Sequence, residues 1–91
     1  MDAVKRTAAE RMVAAGYGEA VIFDSCSYDD ALISVTHDGR AVYDYEKMVA
    51  WLMRVDGFTE EAAIEWIEYN TLRALEYAGP DGPIIMYPLT T

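Results

Sequence analysis

Cys26, His37 and the adjacent Asp38 are the residues whose types could supply a nucleophile, a base and a carboxylate to orient it. Their spacing works against that chemistry. Cys26 lies in the polar run DSCSYDD before an extended segment at 31–36, and His37 lies just after it. Six extended residues hold those ends roughly 17 Å apart at about 3.3 Å per residue, whereas a dyad needs about 3 Å. No catalytic residue is expected, and the thiol reads as structural or incidental. Asp24, Asp29 and Asp30 share the same polar run, but their spacing does not follow a calcium loop. One histidine and one cysteine cannot assemble a zinc site. No metal or cofactor is therefore expected. The glycines of Gly16-Tyr17-Gly18 follow a helix and precede an apolar run, the reverse of the dinucleotide-binding order, so they carry no phosphate-loop reading.

Charge is the stronger signal. The formal net charge is −9 over 91 residues. Residues 1–15 sum to +1 and residues 16–91 to −10. Such a surface repels nucleic-acid phosphate, which disfavours direct DNA or RNA binding and favours a basic protein partner. Glu61, Glu65 and Glu68 stand at i, i+4 and i+7 as one acidic stripe beside Glu60, and Asp29 and Asp30 form a second acidic cluster. Like charges one turn apart weaken a helix by a few tenths of a kcal/mol, about 0.2–0.5. Trp66 and Tyr69 border that stripe and fit either a recognition patch or, more simply, the seal of a small core. A plain solvated face is the competing reading of the stripe.

These residues sit on a two-helix stretch, 43–75, that holds both tryptophans and five glutamates. Asp44 is expected to cap a helix whose Tyr45, Met48, Val49, Leu52 and Val55 form one apolar face, ending at Gly57. Thr59 is expected to cap the next, with Glu60 and Glu61 in its first turn and Ala63, Ile64, Ile67 and Thr71 facing inward. Ahead of them, a helix over 3–15 capped by Asp2 is expected, with Arg6 and Glu10 paired one turn apart and Gly16 and Gly18 ending it. Strands are expected over 20–23, 31–36 and 41–43, the last two joined by a hairpin at His37-Asp38-Gly39-Arg40 with positive φ angles at Asp-Gly. A final strand over 84–87, bracketed by Pro83 and Pro88, suits a sheet edge. The resulting order, α-β-β-β-α-α-β, is a single α+β domain with a small, mostly antiparallel sheet and helices packed on one face.

Composition narrows the class further. Apolar residues make up 53% of the chain, enough for a core and against disorder. No apolar run approaches the roughly 18–20 residues of a membrane span, so no membrane partner is expected. The first residues lack the continuous apolar segment of a secretory signal, and a single cysteine cannot form an internal disulfide, both of which point to the cytoplasm.

The segments AVYDYEKMVAWLM, FTEEAAIEWIEYNTLRAL and PIIMYPL resemble a family of small acidic proteins of gut bacteria, often associated with phages and mobile elements. The resemblance covers residues 30–89, with AIEWIEYNTLRAL the most specific run. Members usually carry proline where Glu76 stands here, which puts the turn after Leu75 in question. The resemblance carries over no catalytic residues. It implies an accessory of a phage or mobile element, and with the charge it leads to a non-enzymatic inhibitor of host defence. An anti-CRISPR or anti-restriction factor that mimics nucleic acid on a basic groove would be one form. The alternative is an assembly module that self-associates as a homodimer through its apolar surface or terminal strand.

Overall fold

The computed structural model describes residues 7–23 and 28–89. Its elements are α1 (Ala8–Ala14), a 3-10 turn (Asp29–Ala31), β1 (Leu32–Val35), β2 (Ala41–Asp44), α2 (Tyr45–Asp56), α3 (Glu60–Trp66), a π-helical turn (Ile67–Thr71), α4 (Leu72–Leu75) and β3 (Ile84–Met86). α3, the π turn and α4 are continuous, because the residues at both junctions keep helical angles. The fold class is α+β, as expected.

The first helix is shorter than its apolar spacing implies. Thr7 is extended and caps α1 through a complete capping box with Glu10, so no helix runs through it. The Asp2 cap, Val4 and the Arg6–Glu10 pair lie outside the described residues. Ala8 and Met12 are buried, while Val13 is exposed. Ala8 N–H donates to the Asp29 carboxylate at 2.7 Å and Arg11 donates to the Asp29 carbonyl at 2.8 Å, which ties α1 to the 3-10 turn.

The strand expected over 20–23 does not form. That segment joins no ladder. It docks through side chains instead, with the Phe23 ring 4.7 Å from Tyr43 and 5.7 Å from Tyr28. A four-residue apolar run reads the same whether backbone or side chains hold it.

The sheet has the order β1-β2-β3, with β1 antiparallel to β2 and β3 parallel to it. It is therefore mixed, and β3 lies at an edge, as its two prolines imply. Leu32, Tyr43 and Ile85 stand side by side across the strands and face the core with Ala41. A bulge at Ile33 shifts the phase of β1. Leu32 is buried and Val35 half-buried, while Ile33 and Ser34 between them are exposed, a pattern that strict alternation cannot give. Helices α1, α2 and α3 add Met12, Met48, Leu52, Ala63 and Ile67 to the same core.

The hairpin is present, but of another type. Gly39 N–H donates to the Thr36 carbonyl and Thr36 N–H donates to the Arg40 carbonyl, both at 2.9 Å. Of its residues only Gly39 has positive φ, at 85°. This is a type I turn followed by one left-handed residue, not the two-residue turn with both central φ angles positive. The Thr36 hydroxyl donates to the Asp38 carboxylate and holds its pKa below the usual carboxylate value.

Both helix caps are as expected. Asp44 accepts from Lys47 N–H at 3.0 Å and Thr59 from Ala62 N–H at 3.1 Å. Gly57, at φ 70°, ends α2. Met48, Val49 and Leu52 are buried, but Val55 is 52% exposed, contrary to its place on the apolar face. The reversal after Gly57 returns Phe58 N–H to the Leu52 carbonyl, and Phe58 packs on the core at this end in place of Val55.

Candidate functional site

Four glutamates on the second helix define the candidate surface, and the cap that starts the helix aims them. Thr59 fixes the first turn, so Glu60 and Glu61 lie where carboxylates complement the helix dipole. Ala63 and Ile67 are buried and Thr71 nearly so, which forces the opposite side outward. Glu60, Glu61, Glu65 and Glu68 are all exposed, and none makes an ion pair among the described residues.

Glu61, Glu65 and Glu68 do not share uninterrupted α-helical spacing. Leu72 N–H donates to the Ile67 carbonyl, an i→i−5 bond that makes residues 67–71 a π turn. A π turn winds less per residue than an α-helix, so Glu68 stops further round toward α2 than uninterrupted α spacing places it. Glu60 and Ile64 border α2 and line an open groove with Tyr45, Val49 and Met53. Glu68 comes near enough to Tyr45 to act on its phenol. Burial first, then the neighbouring Tyr87 and Glu68, raise the Tyr45 pKa above its usual value. Glu65 lies on the other side, in a shallow cleft with Phe58, Trp66, Tyr69 and Asn70.

The π turn is pinned from a distance. Tyr28 is fully buried in a left-handed conformation, φ 48° and ψ 46°, and its hydroxyl shares a 2.6 Å hydrogen bond with the Thr71 hydroxyl. Its ring packs among Phe23, Tyr43 and Trp51. In the sequence Tyr28 belongs to the polar run at 24–30. Nothing in DSCSYDD marks it as a core residue.

The second acidic cluster is occupied by the fold itself. The Asp29 carboxylate accepts from Ala8 N–H, and Asp30 pairs with Arg54. Both are half-buried, so neither is a free carboxylate offered to a partner in the way expected. The aromatics divide too. Trp66 is half-buried against the core, with Phe58 edge-on at 6.0 Å, and acts as a seal. Tyr69 is 67% exposed and seals nothing. His37 stands exposed in the hairpin turn, and Cys26 lies outside the described residues.

Three basic side chains are turned onto the protein's own groups: Arg11 onto Asp29, Arg40 onto the Gly82 carbonyl at 2.9 Å, and Arg54 onto Asp30. Lys47 and Arg73 are exposed, and neither pairs with these glutamates among the described residues. Among the described residues no group of three or more His, Cys, Asp or Glu side chains is placed to hold a metal, and no helix is long and apolar enough to cross a membrane. Comparison with protein-family models, with curated proteins and with solved structures gives no match.

Proposed function

We propose that this protein is a non-enzymatic interaction module whose surface along α3 and the π turn engages the basic surface of a protein partner. The observation that carries this reading is the set of four exposed glutamates on one helix, unpaired among the described residues, in a chain of net charge −9. An uncompensated row of this kind attracts a basic surface over about one Debye length, roughly 8 Å at physiological salt. The resemblance to small acidic proteins of phages and mobile elements narrows the reading to a factor that occupies a nucleic-acid groove on a host defence protein, of the anti-CRISPR or anti-restriction type. Such a factor works in the cytoplasm.

The test is retention of basic nucleic-acid-binding proteins from a bacterial lysate. The baits are the native chain and a variant with Glu61, Glu65 and Glu68 all changed to Gln. The native chain retains such a partner at low salt and releases it as salt rises. The variant retains none while its circular dichroism is unchanged. Equal retention by the two baits refutes the reading.

One observation favours a second reading. Among the described residues no strand pairs with the outer edge of β3, and Met86, Tyr87 and Leu89 beside it are exposed, Leu89 at 95%. Edge pairing would give a homodimer. Pro83 and Pro88 limit such pairing to a few residues, and the net charge opposes it. Light scattering on the eluting protein distinguishes the two: a dimer broken by Tyr87→Lys supports self-association, and a monomer excludes it.

A further inference from the structure

The outer row of the second helix is not carboxylate alone. Glu65 shares its cleft, about 260 Å³ and open to solvent, with Trp66, Tyr69 and Asn70. Trp66 is braced by Phe58 at 6.0 Å and stays half-buried, so the floor of the cleft is a fixed aromatic surface. Tyr69, one turn on, is exposed and leaves its ring free for a visitor. The Asn70 amide nitrogen donates to the Trp66 carbonyl at 3.1 Å, so the side-chain oxygen is the acceptor it has left. Two acceptors of hydrogen bonds, one of them charged, therefore share a cleft with three aromatic rings, those of Phe58, Trp66 and Tyr69.

That combination discriminates between cations. An ammonium is a compact, strongly hydrated point charge that is drawn to a ring face but cannot stack flat on it. A guanidinium is planar, weakly hydrated and forked, stacks on aromatic rings and donates in two directions at once. We propose that this cleft receives an arginine side chain of the basic partner, the guanidinium stacking on Tyr69 and donating to the Glu65 carboxylate and the Asn70 oxygen. The inference rests on the reading of α3 and the π turn as the binding surface and adds the residue type that surface selects. It also accounts for an exposed tyrosine in the outer row. Glu61 and Glu65 supply attraction to any cation, and Tyr69 supplies the preference.

The probes are decaarginine and decalysine peptides, titrated calorimetrically into the intact chain at one low ionic strength. Decaarginine binds more tightly than decalysine, by about two- to fivefold for one exposed stacking contact. Tyr69→Ala, a surface change, removes that ratio while leaving decalysine affinity nearly as it was. Tyr69→Phe, which keeps the ring, retains it. Glu65→Gln weakens both peptides. Equal affinity for the two peptides in the native chain overturns the arginine site and leaves the acidic reading standing, as does a ratio that survives Tyr69→Ala. Absence of binding by either peptide overturns both.

Discussion

Between Asp44 and Gly57 the chain runs as one regular helix, whereas between Thr59 and Glu76 it is interrupted by a π turn, and the two differ in how well spacing reports their faces. In α2 the positions at i+3, i+4 and i+7 from Tyr45 are the buried ones, and the forecast fails only in the last turn, at Val55. In the second helix the inward positions Ala63, Ile67 and Thr71 are also as expected, yet the π turn carries Glu68, the last of the outward carboxylates, toward Tyr45 on α2. A buried face is anchored by its contacts and survives a change of winding. An exposed face has no such anchor and inherits every degree of rotation. Helical periodicity is therefore a better guide to a core than to a binding surface.

The largest effect belongs to the regular helix. Leu52 is fully buried, so Leu52→Ala is expected to cost about 2–5 kcal/mol, read from urea unfolding. Val55→Ala, three residues on, should cost far less. Comparable losses at the two positions would mean that the apolar face continues to the end of α2 after all.

The π turn supplies the next test. Tyr28→Phe leaves the Thr71 hydroxyl buried without its partner and is expected to cost about 1–3 kcal/mol; Thr71→Val removes the same bond from the other side. Because the two share one bond, the double variant should lose clearly less than the sum of the singles. Strict additivity would show that the bond does not couple the loop to the helix.

That bond also explains what sequence reading could and could not find. The caps at Asp44 and Thr59, the stop at Gly57, the hairpin and the edge position of β3 follow from chemistry within a few residues, and all were visible. The burial of Tyr28 and the register of the helix around Thr71 depend on each other across 43 positions, so neither local stretch contains the signal. The parallel pairing of β3 with β2 and the side-chain docking of 20–23 are likewise tertiary. Of the candidate surface, the identity of the exposed glutamates could be read, but their grouping could not. Asp29 and Asp30 carried no mark of their engagement by Ala8 and Arg54.

The surface rows should matter little to stability. Changing Glu61, Glu65 and Glu68 together to Gln is expected to move unfolding free energy by no more than about 1 kcal/mol, because relief of the Glu61–Glu65 repulsion opposes the loss of the Glu61 charge from the helix N-terminus. A loss well beyond that would give these carboxylates a structural partner and weaken the case for a binding face.

The smallest effect tests the split itself. The Tyr45 pKa is raised by burial, by Tyr87 and by Glu68, in that order. A raised pKa means that the folded chain holds the phenolic proton above pH about 10, where the unfolded chain releases it. This contribution to stability is complete below that pH and disappears as pH rises through the folded value. Glu68→Gln removes one of the three causes, so Tyr45 should ionise at a lower pH than in the native chain. It should still ionise above the usual value, because burial remains. Glu65→Gln, on the other row, should leave the Tyr45 titration in place. Tyrosine-ring NMR across pH, which resolves each phenol in the otherwise native chain, reads both. If Glu65→Gln shifts Tyr45 as far as Glu68→Gln does, the two carboxylates share one face and the π turn has not divided them.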